Sequence, residues 1–350
     1  MAEILQIGYA VYPSVKMKSL KTDPETGEKK LSFLKELLFG DFITPSHTKD
    51  GDYKRITIDN GTDKGEYIQV RSRNATGYIK ESEIQAQRIL EVNFIDVGQG
   101  DACHIATPDD KHFLIDSGGS DNMYRFLKWR FNLKTAKVAP PPFSVLISHS
   151  DSDHYQGFGK IFSLTAGTAQ QFTIEKIYHN GIVEAPVAKG VPALAKLGTL
   201  VEKDGCKYIT DLCDTNEDYE KRVRESKAGD YIKTLQKSSA PKQALRLGSD
   251  PIYDKDGLKM EILSPVAEQI DGKPALRSFG DVGKTKNGHS VVIKLTMGKL
   301  RILLGGDLNT ESEYHLISHY SGIDVKGLRD QLKKKNLSLE KRRALEGQVE

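Results

Sequence analysis

The run Ile147-Ser148-His149-Ser150-Asp151-Ser152-Asp153-His154-Tyr155-Gln156-Gly157 gathers two imidazoles and two carboxylates within six positions. The serines between them are too small to obstruct a shared ligand, and the Val145-Leu146-Ile147 strand signal delivers the loop. Imidazole nitrogen and carboxylate oxygen together suit a first-row divalent ion, or a pair of them. Such an ion lowers the pKa of a bound water from 15.7 to about 7, which makes it an attacking group for esters and phosphodiesters at neutral pH. The plainer alternative is a solvated Ser/Asp loop with two incidental histidines, and a motif is only a hypothesis until its context agrees.

Four apolar strands, each abutting glycine and a polar residue, supply that context. Upstream are Phe94-Ile95-Asp96-Val97-Gly98-Gln99-Gly100-Asp101-Ala102 and Phe113-Leu114-Ile115-Asp116-Ser117-Gly118-Gly119. Downstream are Asn287-Gly288-His289-Ser290-Val291-Val292-Ile293 and Ile302-Leu303-Leu304-Gly305-Gly306-Asp307. In this order they resemble the metallo-β-lactamase superfamily. Within it, the Val97-to-Ala102 run is similar to the hallmark of the soluble hydrolase domain of bacterial DNA-uptake channel proteins. The resemblance spans roughly residues 90–320 and implies an α/β fold, the αββα metallo-β-lactamase sandwich.

The resemblance also implies a ligand set. Its His-any-His-any-Asp-His loop assigns His149 and Asp151 to a first metal, and Asp153 and His154 to a second. His289 falls where a third ligand of the first site is expected, Asp307 matches the bridging carboxylate, and Asp116 matches an aspartate that orients the ligand loop through hydrogen bonds. Asp153 is also the candidate for positioning the nucleophile, so the expected catalytic residues are Asp153, Asp307 and Asp116. Asp151 departs from the pattern: a carboxylate, harder than imidazole, keeps zinc as first choice but admits manganese or magnesium. The family's later His-His-Gly-Ser-like segment is missing, because the chain runs through a charged stretch, Leu328 to Arg343, and ends at Glu350. The expectation is a family fold truncated at its C-terminus, with one or two divalent ions, the second weakly held.

The 350 residues must position this loop, and they fit two domains, one of them large. With 38% hydrophobic and 28% charged residues the chain reads as an ordinary globular protein. Residues 1–88 carry none of the metal motifs. Short β-rich pieces recur there (Ala10–Tyr12, Tyr53–Ile58, Tyr67–Val70, Gly77–Ile79) between turns at Asp23–Gly27 and Asp59–Gly61, a spacing that predicts a small all-β barrel. Leu37–Asp41 and Val70–Ile79 resemble the bacterial Src-homology-type barrel, which implies a peptide, protein or cell-wall partner, with a purely structural accessory role as the alternative.

Residues 89–350 form the expected hydrolase domain. Strands are predicted at Leu90–Val97, Cys103–Thr107, His112–Asp116 and Ile174–Tyr178, and a helix over Met123–Phe131 whose aromatic stripe belongs to the core. Gly157 and Gly159 are read as letting the chain turn behind the ligand loop. Residues 185–250, largely polar, read as a helical insertion over the site, for example Asn216–Lys237. His315 and His319 lie on a helix opened by a capping box over Thr310–Glu313 and read as a solvated face. His179 ranks below His289 as a ligand, and His47, His104 and His112 have no evident partner.

No apolar run approaches a membrane span and Met1–Leu5 lacks secretory character, so the reading is cytoplasmic with no membrane partner. Three cysteines, Cys103, Cys206 and Cys213, argue for reduced thiols, with Cys103 in the core. A net charge of +3 from 51 basic and 48 acidic residues excludes a polycation that holds nucleic acid by charge alone. Local contacts would fall to Lys284, Lys286, Lys333, Lys334 and Lys335, or these lysines are simply solvated surface. The expected function is a metal-dependent phosphodiesterase or nuclease. Two alternatives stand beside it: a hydrolase of a small ester, lactone or phosphoester, and a binding or scaffold protein whose hydrolase fold is inactive.

Overall fold

The computed structural model describes residues 5, 7–60, 63–72, 75–131, 133, 140–163, 172–225, 229–333, 341 and 343. The expected contacts of Lys334 and Lys335, and much of the charged stretch up to Arg343, lie outside them. The protein is mixed α/β, with twenty-two strands and eight helices among the described residues. None of these helices is long and apolar enough to cross a membrane. The chain packs as two units: Met1–Glu91 with Ala106–Lys111, and Val92–Ile105 with His112–Glu350.

The first unit is built on β1 (Gly8–Ala10), β2 (Ser14–Thr22), β3 (Lys29–Leu38), β4 (Phe42–Pro45), β5 (Arg55–Ile58), β6 (Gly65–Ser72), β7 (Ala75–Ile79) and β8 (Ile84–Gln85). They form one antiparallel sheet, ordered β3-β2-β7-β6-β4-β1-β8 with β5 on β6, which curls into a half-barrel. Instead of closing into the expected barrel, its end strands β3 and β8 are not paired with each other among the described residues. The period-2 burial that defines a half-buried strand is plain in β2, where Val15 and Met17 are fully buried and Lys16 between them is exposed. Those two residues join Leu37, Ile43, Ile68, Val70 and Ile79 in the unit's core.

The second unit begins with β9 (Glu91–Phe94), β10 (Cys103–Ala106), β11 (His112–Ile115), β12 (Phe143–Leu146) and β13 (Ile174–His179). A β-hairpin follows, β14 (Thr199–Lys203) and β15 (Cys206–Thr210), then β16 (Lys242–Ala244). Strands β9 to β13 and β16 form one sheet, ordered β16-β13-β12-β11-β10-β9, in which β11, β12, β13 and β16 run parallel. Parallel strands need covering on both faces, and in β11 Phe113, Leu114 and Ile115 are accordingly buried in succession. Leu114, Phe143, Val145 and Ile177 face a helical layer of α1 (Asn122–Arg130), α2 (Ser152–Tyr155), α3 (Phe158–Phe162), α4 (Asn216–Glu225) and α5 (Asp230–Gln236). Burying a side chain the size of Phe158 contributes about 1.5–3 kcal/mol, which is what docks so short a helix as α3.

The remaining strands are β17 (Tyr253–Lys255), β18 (Leu258–Ser264), β19 (Glu268–Ile270), β20 (Lys273–Arg277), β21 (Val292–Met297) and β22 (Leu300–Leu304). β17-β18-β21-β22 make an antiparallel sheet, and β14-β15-β20-β19 another. Phe113 on β11 meets Tyr253 on β17 edge to face, with ring centroids 6.0 Å apart. Helices α6 (Val282–Gly288), α7 (Thr310–Ser321) and α8 (Val325–Leu332) complete the unit.

Three local expectations need correction. The stretch 185–250 is helical only in part: Asp204 and Gly205, both at positive φ, turn the β14–β15 hairpin, and Gly229 separates α4 from α5. Helix α7 is capped one residue earlier than expected, by Asn309, whose side chain accepts from Ser312 N. Of the aromatic stripe over Met123–Phe131, Tyr124, Phe126 and Phe131 pack against the core beside the fully buried Met123 and Leu127, as expected, and only Trp129, 75% exposed, lies outside it.

Candidate metal centre

The parallel strands end together, and such ends are where α/β sheets collect their functional groups. β11 delivers Asp116, β12 delivers Ser148 and His149, and α2 begins within the ligand loop. The loop is fixed through its backbone. Ile147 N donates to Tyr178 O at 2.9 Å, Val291 N to Ser148 O at 3.0 Å, and Ser117 N to His154 O at 2.8 Å.

Two glycines permit this crowding. A Cβ on Gly100, at φ +82°, would lie 1.8 Å from the Asp153 carbonyl oxygen. Gly157 has ordinary helical φ, so its role differs from the expected turn: a Cβ there would lie 2.4 Å from Ser117 O and 2.5 Å from Ser120 O. Both are glycine because two backbone segments pass too closely for any side chain.

Asp116 holds the left-handed region at φ 52°, a strained position for a non-glycine residue. Its buried carboxylate makes three contacts nearby: Oδ1 accepts from Ser148 N at 2.7 Å, and Oδ2 accepts from Ser148 Oγ at 2.6 Å and lies 2.8 Å from His154 Nδ1. The pairing fixes the His154 tautomer and turns Nε2 inward, 3.3 Å from Asp307 Oδ1. His149 is arranged alike, with Nδ1 3.0 Å from Ser148 Oγ and 3.3 Å from Ser290 Oγ, its ring 4.2 Å from that of His154. Asp307 is set by its own N–H, which donates to Ser290 Oγ at 3.2 Å.

One ligand atom from each of His149, His154 and Asp307 lies within 4.8 Å of the other two. The Nε2 atoms of both histidines are buried without a hydrogen-bond partner among the described residues. A buried polar atom left unpaired is costly, and two of them converging on a carboxylate fit a divalent cation with nitrogen and oxygen ligands. Without a cation the same groups titrate as an ion-pair cluster. Burial opposes charge on His154, but its hydrogen bond to Asp116 and the Asp307 carboxylate facing its Nε2 carry its pKa up to about 10, and the nearness of His154 holds Asp307 below the usual carboxylate range.

The other expected ligands are placed differently. Asp151 lies 3.6 Å from His149 Nε2 but is engaged by Lys286, whose ammonium also pairs with Glu184 at 2.9 Å. With its amide in the orientation that satisfies both ends, Asn287 Nδ2 adds a bond to Asp151 Oδ2 at 2.9 Å. Burial works against the Asp151 charge, yet His149 and Lys286 bring its pKa down to about 2. Asp153 joins neither compact ligand group among the described residues, being turned by the first turn of α2. His289 is a correction: at the C-terminal cap of α6 it bonds Arg277 O through Nε2 at 2.7 Å and packs on Phe279, and burial lowers its pKa to about 4. Lys286 is likewise no surface contact for a phosphate, with 12% of its side chain exposed.

Asp101 was missed as a site residue although its motif was recognised. It forms a second compact group with Asp116 and His154, and burial followed by the nearby Asp116 charge raises its pKa. Its signal was its place after Gly-Gln-Gly, where the backbone must pass Asp153. His104 and His112, without evident partners in the sequence, meet each other instead, Nε2 to Nδ1 at 2.9 Å, with rings stacked. Cys103 and Cys213 are buried free thiols whose pKa values burial pushes up to about 12.

A scan of this sequence against protein-family models and a search of curated proteins both find no match.

Proposed function

We propose that this chain is a divalent-metal-dependent hydrolase of phosphodiesters, built on the αββα sandwich of the metallo-β-lactamase superfamily, with residues 1–88 as an accessory half-barrel unit before a hydrolase domain over 89–350. The observation that carries the reading is the pair of buried, unpartnered Nε2 atoms of His149 and His154 beside Asp307. The sandwich is supported by the helical layer on one face of the parallel strands and by the Phe113–Tyr253 contact with the antiparallel sheet on the other.

Zinc suits the two imidazoles, while the carboxylates admit manganese or magnesium. When bound, the ion supplies Lewis acidity and an acidified water. The chain's own residues do the rest. His149, His154 and Asp307 hold the ion; Asp116 orients His154 and the ligand loop; Lys286 and Asn287 hold Asp151 at the edge of the centre. Asp101, with its raised pKa, holds or accepts a proton at its carboxylate beside the centre. Exposed Lys284 and Lys333 are available to a nucleic-acid backbone.

A scaffold reading draws on one observation, that Asp151 is ion-paired and His289 turned away, which leaves fewer ligands than the family pattern. Cleavage of labelled single-stranded DNA, RNA and bis(p-nitrophenyl) phosphate by wild type and Asp307→Ala separates the readings. Metal-dependent turnover lost in the variant supports the hydrolase. Turnover unaffected by the substitution rejects the site, and metal binding without turnover favours the scaffold.

A further inference from the structure

Strand β22 ends the sheet β17-β18-β21-β22, and among the described residues it pairs with β21 alone. The end strand of a sheet carries a row of backbone groups that can template another strand, and proteins ordinarily protect such ends with charge, proline, a bulge or brevity. β17, at the other end of this sheet, is three residues long and carries exposed Asp254 and Lys255. β22 lacks these protections. It reads Leu-Arg-Ile-Leu-Leu, and its register with β21 runs unbroken from Met297 opposite Leu300 to Ile293 opposite Leu304. Its one charge is turned aside: the Arg301 guanidinium donates to Gly298 O and Leu300 O of its own hairpin, each at 2.7 Å. Leu300 is 45% exposed and Leu303 63%.

The hairpin fixes which backbone groups face outward. Its loop is two residues, Gly298 and Lys299, with Gly298 at φ +55°, so Met297 and Leu300 bond each other across the turn. Hydrogen-bonding direction alternates along a strand. Leu300, Ile302 and Leu304 therefore bond β21, while Arg301 and Leu303 turn their N–H and C=O groups to the open side. No backbone partner meets those groups among the described residues.

We propose that β22 is the interface of a homodimer, pairing antiparallel with β22 of a second copy across a twofold axis at Ile302. The outward groups dictate this register. Arg301 of each copy lies opposite Leu303 of the other, and each such pair exchanges two main-chain hydrogen bonds, while Ile302 meets its twin at the non-bonded position between them. Leu300 of each copy meets Leu304 of the other, on the face that holds the fully buried Ile293 and Leu295, so the apolar face of one sheet continues into the next. A register centred on Arg301 sets two guanidinium groups opposite each other, and one centred on Leu303 carries Leu300 and Arg301 past the end of the other strand. A slip of a single residue sets bonded positions against non-bonded ones. The occupant is a second copy because the strand is complementary to itself: apolar residues meet apolar residues, and no like charges face each other. Nothing in this interface depends on the reading of the metal centre.

Sedimentation velocity of the full chain over a concentration series measures the dimer. An edge of five residues makes a small interface, so dissociation in the micromolar range is expected. Leu303→Lys sets like charges opposite each other at Arg301 and should weaken the dimer by about tenfold or more. Leu303→Glu is as polar but sets opposite charges there, and should stay within about threefold of wild type. Ile302→Cys, in a Cys206→Ser background, should form an intermolecular disulfide under mild oxidation about fivefold faster or more than Leu303→Cys in that background, because only the twofold position brings a residue to its own twin. The cysteine pair adds no charge and decides the proposal on its own if Leu303→Lys does not fold. A wild type that stays monomeric throughout the micromolar range overturns the proposal. So do equal weakening by lysine and glutamate, a Leu303→Cys crosslink as fast as that of Ile302→Cys, and assemblies larger than a dimer.

Discussion

Replacing Asp116 by Asn should cost metal affinity and metal-free stability by similar amounts, through the hydrogen bonds its carboxylate makes. Asn tolerates the left-handed backbone at φ 52° at least as well as Asp, so the conformation is not the weak point. The amide retains one acceptor oxygen for Ser148 N, bonded at 2.7 Å in the wild type, but sets an NH2 against His154 Nδ1, where the carboxylate oxygen lies at 2.8 Å. His154 would then accept at Nδ1 and carry its proton on Nε2, the atom that faces Asp307 at 3.3 Å and must be a free lone pair to bind an ion. Outer-shell substitutions of this kind cost roughly 10–100-fold in metal affinity, or about 1.4–2.7 kcal/mol. The lost charged hydrogen bonds should also lower apo stability by about 1.5–3 kcal/mol. Zinc affinity is measured by competition with a chromophoric chelator, and folding by urea titration of the metal-free protein. A zinc Kd within twofold of wild type would refute the orienting role.

Other outcomes follow from the same geometry. Because the folded-state pKa of His154, about 10, exceeds its ordinary 6.5, the metal-free protein has this stabilisation in full below pH 6.5 and loses it as pH rises through about 10; urea midpoints across that window measure it. An incoming ion must displace the same proton, so zinc affinity should rise about tenfold per pH unit from pH 6.5 to 9, with proton release visible in calorimetry. Lys286→Met leaves Asp151 and Glu184 without their cation and should destabilise by about 2–3 kcal/mol, below the range for complete burial, as read by chemical denaturation. Gly100→Ala forces a Cβ against the Asp153 backbone at positive φ and should destabilise by about 3 kcal/mol or more while also weakening metal binding.

The ligand loop was legible because its residues are consecutive: a strand signal ending in His149 and His154 needs only local sequence to be recognised. Asp116 and Asp307 were legible because each follows an apolar strand with glycine close by, Gly118 two positions after the first and Gly306 just before the second. The failures share a cause, since a residue's contacts depend on partners distant in sequence. His289 has the right chemistry, but Arg277 O captures its ring nitrogen. Asp151 lies in the right loop, but Lys286, 135 positions later (286 − 151), takes its carboxylate. The β2–β3 hairpin went unread because lysines crowd its solvent face, although Val15 and Met17 already alternate with them. The β14–β15 hairpin hid in a polar stretch whose Asp204-Gly205 turn was the available signal.

X-ray absorption at the zinc edge of the reconstituted protein tests the central claim most directly. The account predicts about one ion per chain in a light-atom shell near 2.0–2.1 Å, with the outer-shell scattering of two imidazoles, reduced to one in His154→Ala. Scattering without imidazole, a sulfur shell near 2.3 Å, or a spectrum unchanged in that variant would contradict it.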